Sequence, residues 1–292
     1  MSSPITPRRE VAQRHRVSWR GIVRAEIIKM RSLTPSIVLL GITFGLMVAA
    51  ALSYSFLLGA LSGLGPQSGV REENLATFGS TGATTTMVLS AIFGAYCVCA
   101  DDRHGVTAAS FLACASRRSL VTAKVAVASV IVAVVTFFGA LVEILLGGLI
   151  CGVIYDLPYP WDVTDLWFAL LGVPLASALA CLIGVGVALI FRSLLAATLT
   201  VVGVWYLLPI VVMFALGFLT RIDGTSFLEK SYNLLPNFAL GLLVTSPTLA
   251  ARDVADTFVH SWWIAFIVAL VWTLLLLGVG MWLFGRRPLR AR

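Results

Sequence analysis

Six stretches, near residues 35–59, 80–100, 122–154, 166–191, 194–219 and 260–284, are apolar almost throughout. Each reaches the roughly 20 residues of α-helix that cross a ~30 Å hydrocarbon layer. No water is present in that layer to satisfy a backbone amide, so segments separated by loops of this kind must close their own hydrogen bonds as helices. Hydrophobic residues make up 59% of the 292-residue chain and charged ones 12%, with a mean hydropathy of +0.96. A soluble domain carries about a quarter charged residues, so no single aqueous core accommodates this composition. The chain is an all-α integral membrane protein.

The cations set an orientation. With both termini on one side, that side holds Arg8, Arg9, Arg14, Arg16, Arg20, Arg24, Lys29, Arg31, Arg103, Arg117, Arg118, Lys124, Arg192, Arg286, Arg287, Arg290 and Arg292. The other holds Arg71, Arg221, Lys230 and Arg252. Loops rich in Lys and Arg stay cytoplasmic, so the termini are expected inside. The net charge of +7 is then explained by topology, and no nucleic-acid partner is expected. Trp161, Trp167, Trp262 and Trp263 fall at the expected outer interfaces, as aromatic belts do.

Residues 1–16, with Pro and Arg and no apolar period, read as a mobile cytosolic tail, and 285–292 as a basic one. Residues 17–34 differ. At 100° per residue Trp19, Ile22, Val23, Ile27, Met30 and Leu33 share one arc, with Arg20, Arg24 and Arg31 beside it, the pattern of an interfacial amphipathic helix. Glu26 falls inside the apolar arc. It needs a cation, either locally at Lys29 or Arg31 or across space in the segment 101–124.

That segment separates the second and third apolar runs: Asp101-Asp102-Arg103-His104-Gly105, a weakly amphipathic stretch from Val106 to Cys114 with Phe111 and Leu112 as its large apolar anchors, then Ser116-Arg117-Arg118 and on to Lys124. A plain turn needs only a few residues, so a short docking helix is expected. Asp101 and Asp102 could cap it and Ser116 could cap the third span. Pro35 suits the first turn of span one, while Pro174 and Pro209 should kink spans four and five. Between spans five and six, residues 220–259 mix Phe227, Leu228, Leu234, Leu235, Phe238, Leu240, Leu242, Leu243 and Val244 with Pro236 and Pro247. An apolar stretch shorter than a span and bounded by prolines suggests a re-entrant or interfacial helix.

Chemistry-bearing patterns are few. The sequence contains no Gly-x-x-x-x-Gly-Lys-Ser/Thr phosphate loop, no Gly-x-Ser-x-Gly and no His-Glu-x-x-His. His15, His104 and His260 lie far apart, and Cys97, Cys99, Cys114, Cys151 and Cys181 suggest neither a disulfide framework nor a metal site. No catalytic residue, metal or cofactor of its own is expected. Glu143 is the one acid deep within a span. Such a carboxylate marks substrate contact or proton coupling by default, or else a protonated or hydrogen-bonded side chain facing other helices, with Thr136 a candidate partner. Gly41-x-x-x-Gly45 and Gly148-x-x-x-Gly152 would permit close helix contact.

Taken together, these residues resemble the membrane subunits of the ABC type-2 permease family, which share the ABCG-like (type V) exporter fold. Arg24-Ala25-Glu26-Ile27-Ile28-Lys29-Met30-Arg31 is similar to the family's connecting helix. Asp102-Arg103-His104-Gly105, with Leu112-Ala113, Arg117-Arg118 and Ala123-Lys124, is similar to its coupling segment, and Leu234-Leu235-Pro236 to its re-entrant outer segment. Val106 stands where the family often has Thr, with Thr107 one place later, and no proline occurs near Cys114.

The resemblance implies six transmembrane helices with an N-terminal connecting helix, a cytosolic coupling helix between spans two and three, and re-entrant outer helices before span six. It also implies a second permease copy or a paralogue, and a separate cytosolic ATPase that carries ATP and Mg. That ATPase would dock on Asp101, Asp102, Arg103, His104, Gly105, Thr107, Phe111, Leu112, Arg117 and Arg118, and on the connecting helix through Arg24, Glu26, Lys29 and Arg31. The expected function is ATP-driven export of an amphiphilic substrate (drug, antibiotic, peptide or lipid) across a bacterial plasma membrane. A proton-coupled secondary transporter using Glu143 and a non-transporting scaffold or sensor are the alternatives. The sequence names neither the cargo nor the identity of the dimer partner.

Overall fold

Small residues decide which spans touch. In the computed structural model, residues 19–62, 77–103, 117–154, 161, 164–219, 230, 232–245 and 258–286 are described. Among them there is no strand. The elements are α1 (Trp19–Ser32), α2 (Thr34–Ser62), α3 (Ala83–Arg103), α4 (Arg117–Leu149, continued by a π-helical turn Ile150–Ile154), α5 (Thr164–Phe191), α6 (Leu194–Val202), α7 (Leu208–Leu219), α8 (Pro236–Val244) and α9 (Trp262–Arg286). Six helices are long and apolar enough to span a membrane: Thr34–Ala60, Ala83–Ala100, Ser119–Val153, Leu166–Phe191, Leu194–Leu216 and Trp262–Arg286. They match the six runs of the sequence to within a few residues.

The bundle is built around α5. It packs most extensively on α3, then on α9 and α4, while α2 lies against α4 and α3. A Cβ placed on Gly94 of α3 would collide with the Cys181 carbonyl of α5, and one on Gly184 of α5 with the Ala91 carbonyl of α3. The two backbones therefore touch at reciprocal, antiparallel positions, as small residues permit when lipid supplies no hydrophobic drive for association. Gly186 meets the Leu276–Leu277 backbone of α9 in the same way. In consequence 72% of the most apolar stretch of span four is buried within the chain and 67% of that of span two, against 11% for span five, which turns most of its side chains away from the rest of the chain.

The close contacts fall elsewhere than the Gly-x-x-x-Gly spacings suggested. Gly41, Gly45 and Gly152 would meet nothing, and Gly148 lies under the Trp161 ring. Gly41 and Gly45 sit on an exposed helix face, and spacing alone does not say which way a face points. Pro35 stands in the first turn of α2 as expected. Pro174 remains inside the continuous α5, whereas at Pro209 the span changes pitch. The π turn Gly203–Leu207 precedes it, and the Leu208 amide reaches back to the Gly203 carbonyl, an i→i−5 bond beside the residue that has no amide hydrogen to give.

Spans four and five turn at Arg192–Ser193. Arg192 adopts a left-handed φ of 53°, its guanidinium lies over the Phe284 ring at 5.5 Å, and the Ser193 hydroxyl caps α6. The segment between spans five and six yields the short helix α8, with proline in its first turn and Ala239, Leu240, Leu243 and Val244 buried. Trp262 and Trp272 of α9 donate their indole N–H groups to the carbonyls of Leu243 (3.1 Å) and Leu234 (2.8 Å). Residues 220–229, 231 and 246–257 of that segment lie outside the described residues, as do both tails.

Candidate functional site

The site begins with the face that α1 turns to the bundle. Ile22, Glu26 and Met30, four residues apart, are its buried residues, while Trp19 and Ile27 are exposed at 54% and 41%. The apolar arc read from sequence therefore divides. One edge faces outward with Arg20, Arg24 and Arg31, all exposed, and the other packs on α4. Ile22 meets Leu120 and Ala123, and Met30 meets Phe93, Cys97, Val127 and Ala128. Glu26 sits midway along this seam, in line with its apolar neighbours rather than out of place among them.

Its partner is across space. Glu26 Oε2 lies 3.8 Å from Lys124 Nζ, and both side chains are 7% exposed. Lys124 also donates to the Cys97 carbonyl of α3 at 3.1 Å. One ammonium thus ties α1, α3 and α4 together at a single buried point, at the end of the bundle where the 101–124 segment enters and leaves. The contact of Glu26 to that segment is formed. Lys29 adds a second positive charge beside the first. Burial, and after it the Lys124 ammonium, bring Lys29 down from its ordinary 10.5 to about 8, with Glu26 pulling in the opposite direction.

Two lysines thus share one carboxylate, which has a consequence for pH. The folded chain gives up the Lys29 proton near pH 8, while the unfolded chain keeps it to about 10.4. Over that window the unfolded state binds more protons, so the docking of α1 strengthens as pH rises from about 8 to about 10.4 and stays level, at its weaker value, below about 8. Thermal unfolding in lipid nanodiscs from neutral to mildly alkaline pH should show the wild type gaining on Lys29→Met, which lacks the titrating group. Parallel profiles would remove Lys29 from the junction.

The remaining expected site residues divide into three groups. The backbone of Asp101, Asp102 and Arg103 forms the end of α3, so the helix runs through the two aspartates. Arg117 and Arg118 open α4, directly after Ser116. His104, Gly105, Thr107, Phe111 and Leu112 lie outside the described residues, as does the expected docking helix. What sequence reading missed as site residues are Lys124 and the Cys97 carbonyl. The signal was present: Lys124 stands four residues from both Leu120 and Ala128, on the face of α4 that is otherwise apolar.

Glu143 is not part of this junction. It lies on α4 nineteen residues beyond Lys124, about 28 Å along the helix, and is fully buried. Its suggested partner Thr136 instead donates to the carbonyl of Val132 at 2.9 Å, the usual back-bond of a threonine in an apolar helix. Among the described residues neither Glu143 oxygen has a hydrogen-bond partner, and the Gly82 amide approaches it without hydrogen-bond geometry. The four described cysteines, Cys97, Cys99, Cys151 and Cys181, are buried free thiols.

Comparison with curated proteins gives no match. A comparison with protein families does. The family described as ABC-2 family transporter protein matches residues 87–289, from within span two to just beyond span six. The match covers well over half of a six-span chain, and the chain belongs to the ABC-2 transporter family, as a membrane-spanning permease subunit.

Proposed function

We propose that this permease subunit exports an amphiphilic substrate, powered by a separate ATPase that docks on α1 and on residues 101–118. The observation that carries the reading is the Glu26–Lys124–Cys97 junction. A soluble partner pressing on the connecting helix or on the 101–118 segment would push on a buried ionic contact that joins α1 to spans two and three. Motion at the inner face would then enter both spans at once. The absence of a phosphate loop from the sequence agrees with ATP and Mg being held by that partner. A bundle with so few intramembrane charges offers little to a fully polar solute, so a drug-like molecule, an antibiotic, a peptide or a lipid is the favoured cargo. A second copy or a paralogue would complete the pathway in the plasma membrane, with both termini cytoplasmic.

Tagged chain purified from its native host should bring with it an ATPase bearing a phosphate loop. If no such subunit comes along, and efflux collapses with the proton gradient, the proton-coupled reading takes its place. Charge reversal at Asp102 or Arg103, or Phe111→Asp, should lower ATPase binding and transport several-fold while membrane insertion stays intact. Unchanged transport in all three would count against docking at this segment.

A further inference from the structure

We propose that Glu143 is a proton-binding site, its carboxyl neutral in the packing seen here and ionised only when spans one and three part at the end remote from α1. The proposal stands apart from the export reading, since it needs no ATPase. The geometry is that of an enclosed acid. Glu143 is fully buried, and Oε1 would stand 2.6 Å from a Cβ on Gly82, a position that would also contact Met47 and Ala50 of α2. The carboxyl is thus wedged between α2, α4 and the turn at 77–82. On either side α4 presents glycine: Gly139 lies against the Met47 sulfur and Gly147 against the Phe78 ring, so the helices close tightly around it.

No charge faces it. From α2 come Met47 and Ala50 and, a turn further on, Tyr54, whose hydroxyl accepts a hydrogen bond from Thr77 at 2.9 Å. The turn contributes Gly82 and Thr81, whose hydroxyl is likewise buried without a partner. From α5, Leu166 and Ala169 line this end of the core. Among the described residues Lys230 and His260 are exposed, on the segments leading to α8 and α9, and Lys124 is about 28 Å away along α4.

Burying an unpartnered neutral acid is disfavoured, but burying an unpaired carboxylate is disfavoured by far more. The packed state therefore keeps the proton. Parting the helices lets water reach the carboxyl and releases it, and a rise in pH shifts the balance toward the parted state.

The chain alone in lipid nanodiscs is enough to test this. Infrared spectra at neutral pH should contain a protonated-carboxyl stretch that is missing from Glu143→Gln, and a carboxylate stretch in its place would overturn the proposal. Hydrogen exchange at residues 44–50 and 140–147, taken as the ratio of wild type to Glu143→Gln at each pH, should rise several-fold toward alkaline pH, because glutamine stays neutral. A flat ratio would equally overturn it. Glu143→Met, apolar and of similar length, provides the same reference where the glutamine variant inserts poorly.

Discussion

Glu26→Gln is expected to loosen α1 from the bundle and to reduce stability by about 3 kcal/mol, toward the lower end of what breaking a buried ion pair costs. The substitution keeps the shape of the side chain and removes a carboxylate that faces both Lys29 and Lys124, so two ammonium groups are left side by side. Lys124 is 6% exposed and still donates to the Cys97 carbonyl. The half-buried Lys29 can turn toward the headgroups, which keeps the loss from being larger.

The double variant Glu26→Gln/Lys124→Met separates stability from coupling. Removing both members of a buried pair is often neutral for stability, so its unfolding midpoint should recover most of the loss. Transport per ATP hydrolysed should nevertheless stay low, because the contact that joins α1 to the spans is gone. A cycle of the two single variants and the double should show a coupling energy well above the few tenths of a kcal/mol found for independent sites. Additive single effects, or a double variant with normal transport, would reduce the junction to one packing contact among others.

The second large effect is expected at the α3–α5 crossing. Gly184→Ala puts a methyl group where the Ala91 carbonyl already lies, and Gly94→Ala does the same to the Cys181 carbonyl. Overpacking a core typically costs about 1–3 kcal/mol. Here the obstacle is backbone rather than the end of a flexible side chain, so either alanine should fall at the top of that range and Gly184→Val beyond it. Loss of a monodisperse peak in detergent and a lowered unfolding midpoint would report it. Gly41→Ala, at a position where a Cβ meets nothing, is the matched control and should behave as wild type. If Gly184→Ala matched that control, the close approach of the two helices would be in error.

These two sites differ in how far they could be read in advance. Glu26 was legible as an anomaly, a carboxylate in an apolar arc, because a charge among apolar residues demands a partner wherever it lies. Its partner was not legible, since Lys124 belongs to a different helix and the intervening segment fixes no distance. Spacing also did not single out the close glycines within the chain. Gly41-x-x-x-Gly45 has the pattern and no neighbour, while Gly94 and Gly184 carry the tightest contact, in segments where no such spacing stands out. Glu143 was legible as an acid in an apolar span. Only the packing showed that it is enclosed by Gly82, Met47 and Ala50 and unmet by Thr136.

What the sequence by itself determined is therefore the set of elements. The length and apolarity of each run fix six spans because hydrocarbon leaves the backbone no alternative, and the arc of 19–33 fixes α1 because periodicity is a local property. What only the tertiary structure decided is which faces meet. Span four became the centre and span five the periphery, Lys124 became the tie between α1, α3 and α4, and Glu143 became a sealed acid. Lipid is as apolar as the side chains it touches, so hydrophobicity along the chain cannot tell an inward face from an outward one. That choice falls to close backbone contact and to the pairing of a few buried charges.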